Sequence, residues 1–153
     1  MDEITLRMLE LKQKGYCCSQ ILLILGLGTR GRTNIDLVRS MAGLCYGTSR
    51  SGEVCGALSG AACLLSFYAG KGSDDEEADE RLPKILSELT EWFRKYMGAE
   101  YGGIRCDDIL AKCPDKSACG LIVNRTYYKM MDILVLNGFD PAEGRDGQSW
   151  AMY

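Results

Sequence analysis

The sequence contains no histidine. That absence removes Ser-His and Cys-His catalytic pairs, histidine-ligated zinc and CxxCH haem attachment. No two cysteines show the CxxC spacing of a zinc ribbon or a thioredoxin-type dithiol. Proline occurs three times, so few positions are barred from helix. Long apolar runs are missing too. The longest uncharged stretch, Val54 to Gly70, has 17 residues and includes three glycines. A membrane span asks for about 20 strongly apolar residues, so this stretch reads as a buried helix. The N-terminus lacks the basic start and unbroken apolar run of a secretory signal, and a cytoplasmic location is expected. Net charge is −3, which leaves no basic footprint for nucleic acid.

What remains is one domain of common size, 153 residues with 46% hydrophobic and 25% charged residues, and eight cysteines. In a reducing compartment cysteines more often serve metal or redox chemistry than structural disulfides. With no histidine, any transition-metal or redox chemistry must rest mainly on sulfur.

The apolar pattern predicts helices and little strand. Ile4, Met8 and Leu11 mark an amphipathic helix ending near Gly15. A second helix is expected over residues 16–25, broken by Gly26, Gly28 and Gly31. Thr33 or Asn34 caps a third, with Ile35, Val38, Ala42 and Cys45 on one face. Residues 47–52 form a polar turn. The uncharged stretch is the fourth helix, in which Gly56 and Gly60 permit close approach of a neighbour. Six acids among residues 74–80 suit the start of a fifth helix, with Ser73 and Glu76 as a capping box. Pro83 within it should mark a kink or the true start. A short helix near Cys106 and a long one over residues 116–136 complete an all-α, single-domain bundle of five to seven helices. The domain is taken as residues 1–153, with 138–153 an irregular tail.

The acidic stretch is most simply a solvated helix start. Residues 15–71 are net +3, most simply solvated arginines. Gly26 to Gly31 formally match GxGxxG, but no later strand pattern supports a dinucleotide site, so a Gly-rich helix connection is preferred.

Cys17, Cys45 and Cys63 read as small apolar residues on helical faces. Cys55 opens Cys55-Gly56-Ala57-Leu58-Ser59-Gly60 at a helix start, where the dipole and free N–H groups favour a thiolate. Cys106 and Cys119 also lie near helix starts, and Cys119 is again followed by glycine.

These segments resemble the family labelled C_GCAxxG_C_C after its four characteristic cysteines, over about Gly15 to Val123. Gly15-Tyr16-Cys17-Cys18-Ser19-Gln20 resembles its first motif, which places the first signature cysteine at Cys18. Cys55-Gly56-Ala57-Leu58-Ser59-Gly60 resembles its CGAxxG segment, although the label writes GCA. Cys106, before a short helical turn, and Cys119 resemble the third and fourth, with Cys113-Pro114 competing for those places.

The resemblance implies a small redox-active protein. A similar four-cysteine module in split-Soret cytochromes is associated with an iron–sulfur centre beside c-type haem. Here only the non-haem half carries over. Cys18, Cys55, Cys106 and Cys119 are thus the implied ligands, most simply of a [2Fe–2S] centre passing electrons to a redox partner protein. Two alternatives stay open: a structural zinc held by the same four cysteines, and a metal-free thiol–disulfide protein with Cys55 as the attacking thiol. No substrate pocket is required of an electron carrier. A homodimer through an apolar patch of Trp150, Met152 and Tyr153 is a further expectation.

Overall fold

The computed structural model describes residues 1–143 and Arg145. The described residues form seven α-helices: α1 (Glu3–Gln13), α2 (Cys18–Thr29), α3 (Ile35–Ser40), α4 (Gly56–Ala69), α5 (Leu82–Tyr101), α6 (Cys106–Lys112) and α7 (Ser117–Leu136). A 3₁₀ turn, Met41–Leu44, follows α3. Among the described residues there is no strand beyond one isolated antiparallel bridge, Val54 to Arg105. The all-α, single-domain expectation holds. No described helix is long and apolar enough to cross a membrane. Residues 138–143 form turns without helix, and Trp150, Met152 and Tyr153 lie outside the described residues.

Helix α4 runs through the middle. Its Ala57, Ala61, Leu64, Leu65 and Ala69 have no exposed surface. Around it pack Leu22 and Leu23 of α2, Ile85, Leu89 and Phe93 of α5, and Met130 and Leu134 of α7, all equally buried. Small residues on α4 let α2 come close. A Cβ on Gly60 would sit 2.8 Å from Ser19 Cα, and one on Gly56 would sit 3.6 Å from Cys18 Cβ. The close approach expected of these glycines is therefore made, and it brings the start of α2 onto the start of α4.

Three expectations are corrected. Helix α2 does not stop at Gly26; it runs on to Thr29, because Gly26 is packed under Leu64, where a Cβ would lie 2.3 Å from the leucine side chain. The GxGxxG match therefore lies largely inside a helix. The acidic stretch 74–80 is not helical, and α5 begins at Leu82 with Pro83 in its first turn, the position proline tolerates. Helix α3 is capped by Asn34 as expected, its side chain accepting from Leu37 N at 3.0 Å. It then tightens into the 3₁₀ turn, so Ile35 stays 73% exposed and the four-residue apolar face is not formed.

Candidate functional site

The four signature cysteines come from four helix starts. Cys18 is the first residue of α2, with Cys17 as its N-cap, whose N–H donates to Gln20 Oε1 at 3.2 Å. Cys55 is the N-cap of α4, Cys106 the first residue of α6, and Cys119 lies in the first turn of α7. The bridge beside them fixes two of these starts against each other. Cys55 N donates to Ile104 O at 3.0 Å, and Cys106 N donates to Glu53 O at 2.7 Å.

All four line one small cavity of about 40 Å³. Ile109, Leu110 and Ile122 supply apolar walls, and Gly56 leaves space beside the sulfurs. Tyr46 and Lys116 complete the lining. The structure thus brings Cys18, Cys55, Cys106 and Cys119 together. Cys113, the competitor, does not line the cavity; its sulfur lies 3.2 Å from Asp115 Oδ1 and 3.1 Å from Ser117 Oγ.

The thiols differ sharply in acidity. Cys18 donates to the Cys119 sulfur, and that bond, with Lys12 and Lys116 nearby, brings the Cys119 thiol down to about 7. The same bond, burial and the neighbouring sulfurs push Cys18 up. Burial pushes Cys55 up to about 11, and burial with Cys119 and Asp107 nearby raises Cys106. The expectation of a low-pKa Cys55 is corrected: the helix start is there, but Cys55 is only 7% exposed, and desolvation outweighs its N–H contacts. The ready thiolate is Cys119. One negative charge is easily held here, and four would require compensating positive charge.

Two features escaped sequence reasoning. Cys17 and Cys45, read as packing residues, form a disulfide. Cys63, also read as packed, is exposed. The second feature is the segment after Cys45. Tyr46, Gly47, Thr48, Ser49 and Arg50 all have positive φ, a left-handed turn built largely from non-glycine residues. Its Tyr46 ring has Arg50 at 4.9 Å and Lys116 at 4.8 Å from its centroid. Only Gly47 and Gly52 hinted at such a turn.

The structure is an all-α protein with four thiols around one cavity with apolar walls. The family model described as "Putative redox-active protein (C_GCAxxG_C_C)" matches residues 16–133, more than half of the chain, and the chain belongs to this family. No curated protein and no solved structure matches it.

Proposed function

We propose that the chain is a redox protein whose working group is the four-cysteine cavity, holding an iron–sulfur centre, most simply [2Fe–2S], through Cys18, Cys55, Cys106 and Cys119. The observation that carries the reading is the convergence of four thiols, from four separate helix starts, on one cavity with apolar walls. Four thiol donors and no carboxylate in the lining suit such a centre. Among the described residues no group of three or more cysteine, aspartate or glutamate side chains is placed to hold a metal ion as it stands, so the thiols would have to draw together to bind one. The centre would supply reversible one-electron transfer. Lys116 and the backbone N–H groups at the starts of α2, α4 and α7 would favour the negative charge of the thiolates and of the reduced state. An encounter with a partner protein for electron transfer needs only a small, transient interface.

The hydrogen bond between Cys18 and Cys119, with the acidified Cys119 thiol, favours a second reading, a metal-free thiol–disulfide protein in which Cys119 attacks.

The test is purification without oxygen, followed by a visible spectrum and iron, acid-labile sulfide and zinc assays on one sample. A brown protein with equal iron and sulfide is expected. Cys55→Ser should lose the colour and Cys63→Ser should keep it. Stoichiometric zinc in a colourless protein would make the site structural. A colourless, metal-free protein would leave the thiol–disulfide reading.

A further inference from the structure

The Cys17–Cys45 disulfide has no place in the reading above, yet both of its halves abut the four-cysteine cavity. Cys17 directly precedes Cys18, and Cys45 directly precedes Tyr46, and both followers line the cavity. The bond therefore ties the start of α2 to the base of the left-handed turn 46–50.

That turn needs holding. In L-residues the left-handed conformation crowds Cβ against the following carbonyl, and Tyr46, Thr48, Ser49 and Arg50 all adopt it. Such a segment persists only where its surroundings fix it. Here the fixings are the turn's own backbone bonds (Ser49 N to Gly43 O at 2.8 Å, Arg50 N to Cys45 O and Gly52 N to Tyr46 O, both at 3.1 Å), the disulfide at its base, the Tyr46 ring between Arg50 and Lys116, and the hydrogen bonds of Cys55 and Cys106 that follow. The disulfide is the one covalent fixing among them, and thiol exchange can undo it.

Its two sulfurs also differ in access. Cys45 is 3% exposed, whereas Cys17 is only partly buried. Ser19 Oγ lies 3.2 Å from Cys17 Sγ and 3.8 Å from Cys45 Sγ.

We propose that Cys17–Cys45 is a redox-active disulfide that latches the 46–50 turn over the four-cysteine cavity and is opened by a dithiol reductant. A thiolate of the reductant attacks Cys17 Sγ and forms a mixed disulfide. The bond between Cys17 and Cys45 breaks, and Cys45 leaves as a thiolate and takes up a proton, with the Ser19 hydroxyl beside it. The second thiol of the reductant then attacks its own sulfur in the mixed disulfide and releases Cys17 as a thiol. The reductant gives up two electrons and two protons and becomes a disulfide; the protein gains both. With its base cut, the turn loses its covalent anchor, Tyr46 moves off the cavity, and the thiols beneath become accessible. The latch rests on the cavity being the working site, whatever the cavity holds.

The test uses the native chain without oxygen, poised in mixtures of reduced and oxidised dithiothreitol. A pulse of iodoacetamide and peptide mass spectrometry read each cysteine, while far-UV circular dichroism reads the fold. Cys17 and Cys45 should become alkylated together in one two-electron transition with helicity unchanged. Across the same transition the alkylation rate of buried Cys55 should rise at least tenfold. The Cys17→Ser/Cys45→Ser double variant should show the fast Cys55 rate without reductant. A parallel series on chelator-treated protein keeps the readout independent of iron, so failure of the iron–sulfur reading and failure of the latch are told apart. The latch is overturned if Cys17 and Cys45 are alkylated before any reductant is added, or if they yield only after denaturant melts the helices. It is equally overturned if Cys55 reacts at one rate in both states.

Discussion

The two ends of α4 are held by different physics. Its C-terminal half carries Leu64, Leu65 and Ala69, which have no exposed surface and pack among α2, α5 and α7. That end is secured by area: fully burying a large aliphatic or aromatic side chain is worth about 1.5–3 kcal/mol, with little directional demand. Its N-terminal end opens with Cys55 and Gly56 against the start of α2, and its neighbours there are small. That end is secured by directed contacts: the Cys55 and Cys106 backbone bonds, Ser19 Oγ donating to Met41 O at 2.9 Å, the disulfide and the stacked cations on Tyr46. Area sets stability, and directed contacts set position. Damage to one end should therefore read out differently from damage to the other.

The largest separation is expected from Phe93→Ala, in the body. It should lower unfolding free energy by about 3–5 kcal/mol in urea titrations. Below the transition it should leave the order of thiol reactivity unchanged, and a reordered set of thiols would dissolve the distinction between the ends.

Within the cavity, thiol reactivity should spread widely in metal-free protein. The thiolate is the reacting form, so Cys119 alkylation should rise through about pH 7 and level off above it. Cys55 should stay slow until the pH approaches about 11. At pH 8 the two thiolate populations should differ by roughly three orders of magnitude. Cys18→Ala removes the donor to Cys119 and should move the Cys119 midpoint upward; an unmoved midpoint would mean that the lysines alone acidify it.

Gly60→Val probes the seam between the ends. Its Cβ would meet Ser19 Cα at 2.8 Å, so the start of α2 must shift. A loss of about 1–3 kcal/mol is expected, with the Cys18 to Cys119 contact loosened and the Cys119 midpoint raised. The smallest effect belongs to Asn34→Ala at the α3 cap, about 1 kcal/mol by thermal melting, with cavity reactivity unchanged.

The same division explains what the sequence made legible. The body follows from apolar periodicity: α1 and α4 fall close to where Ile4, Met8, Leu11 and the uncharged stretch place them, and α7 close to the expected residues 116–136. Gly26 misled because a glycine breaks a helix only when nothing packs on it, and Leu64 packs on this one. The acids of 74–80 misled because acids favour a helix start without being required for one, and α5 begins with none in its first turn; Pro83 was the stronger signal. Cys55, Cys106 and Cys119 were legible through their helix-start contexts, and Cys18 through the family motif. Which thiol is acidic was not, because the answer depends on burial and on a partner distant in sequence: Cys18 for Cys119, and only desolvation for Cys55. The pairing of Cys17 with Cys45 likewise depends on how α2 and the 3₁₀ turn meet, which no local pattern encodes.

The order of the four cysteines along the chain has a consequence for biosynthesis. Synthesis runs from Cys18 through Cys55 and Cys106 to Cys119, and most of α7 still follows the last of them. A chain still attached to the ribosome therefore carries only one or two of the four thiols until Cys106 is made, and the fourth wall is set only when α7 docks against α4. Whatever the cavity receives, it receives only after α7 has been made. A truncated product ending before α7 would leave Cys18, Cys55 and Cys106 without Cys119 and Ile122, which complete the cavity around them.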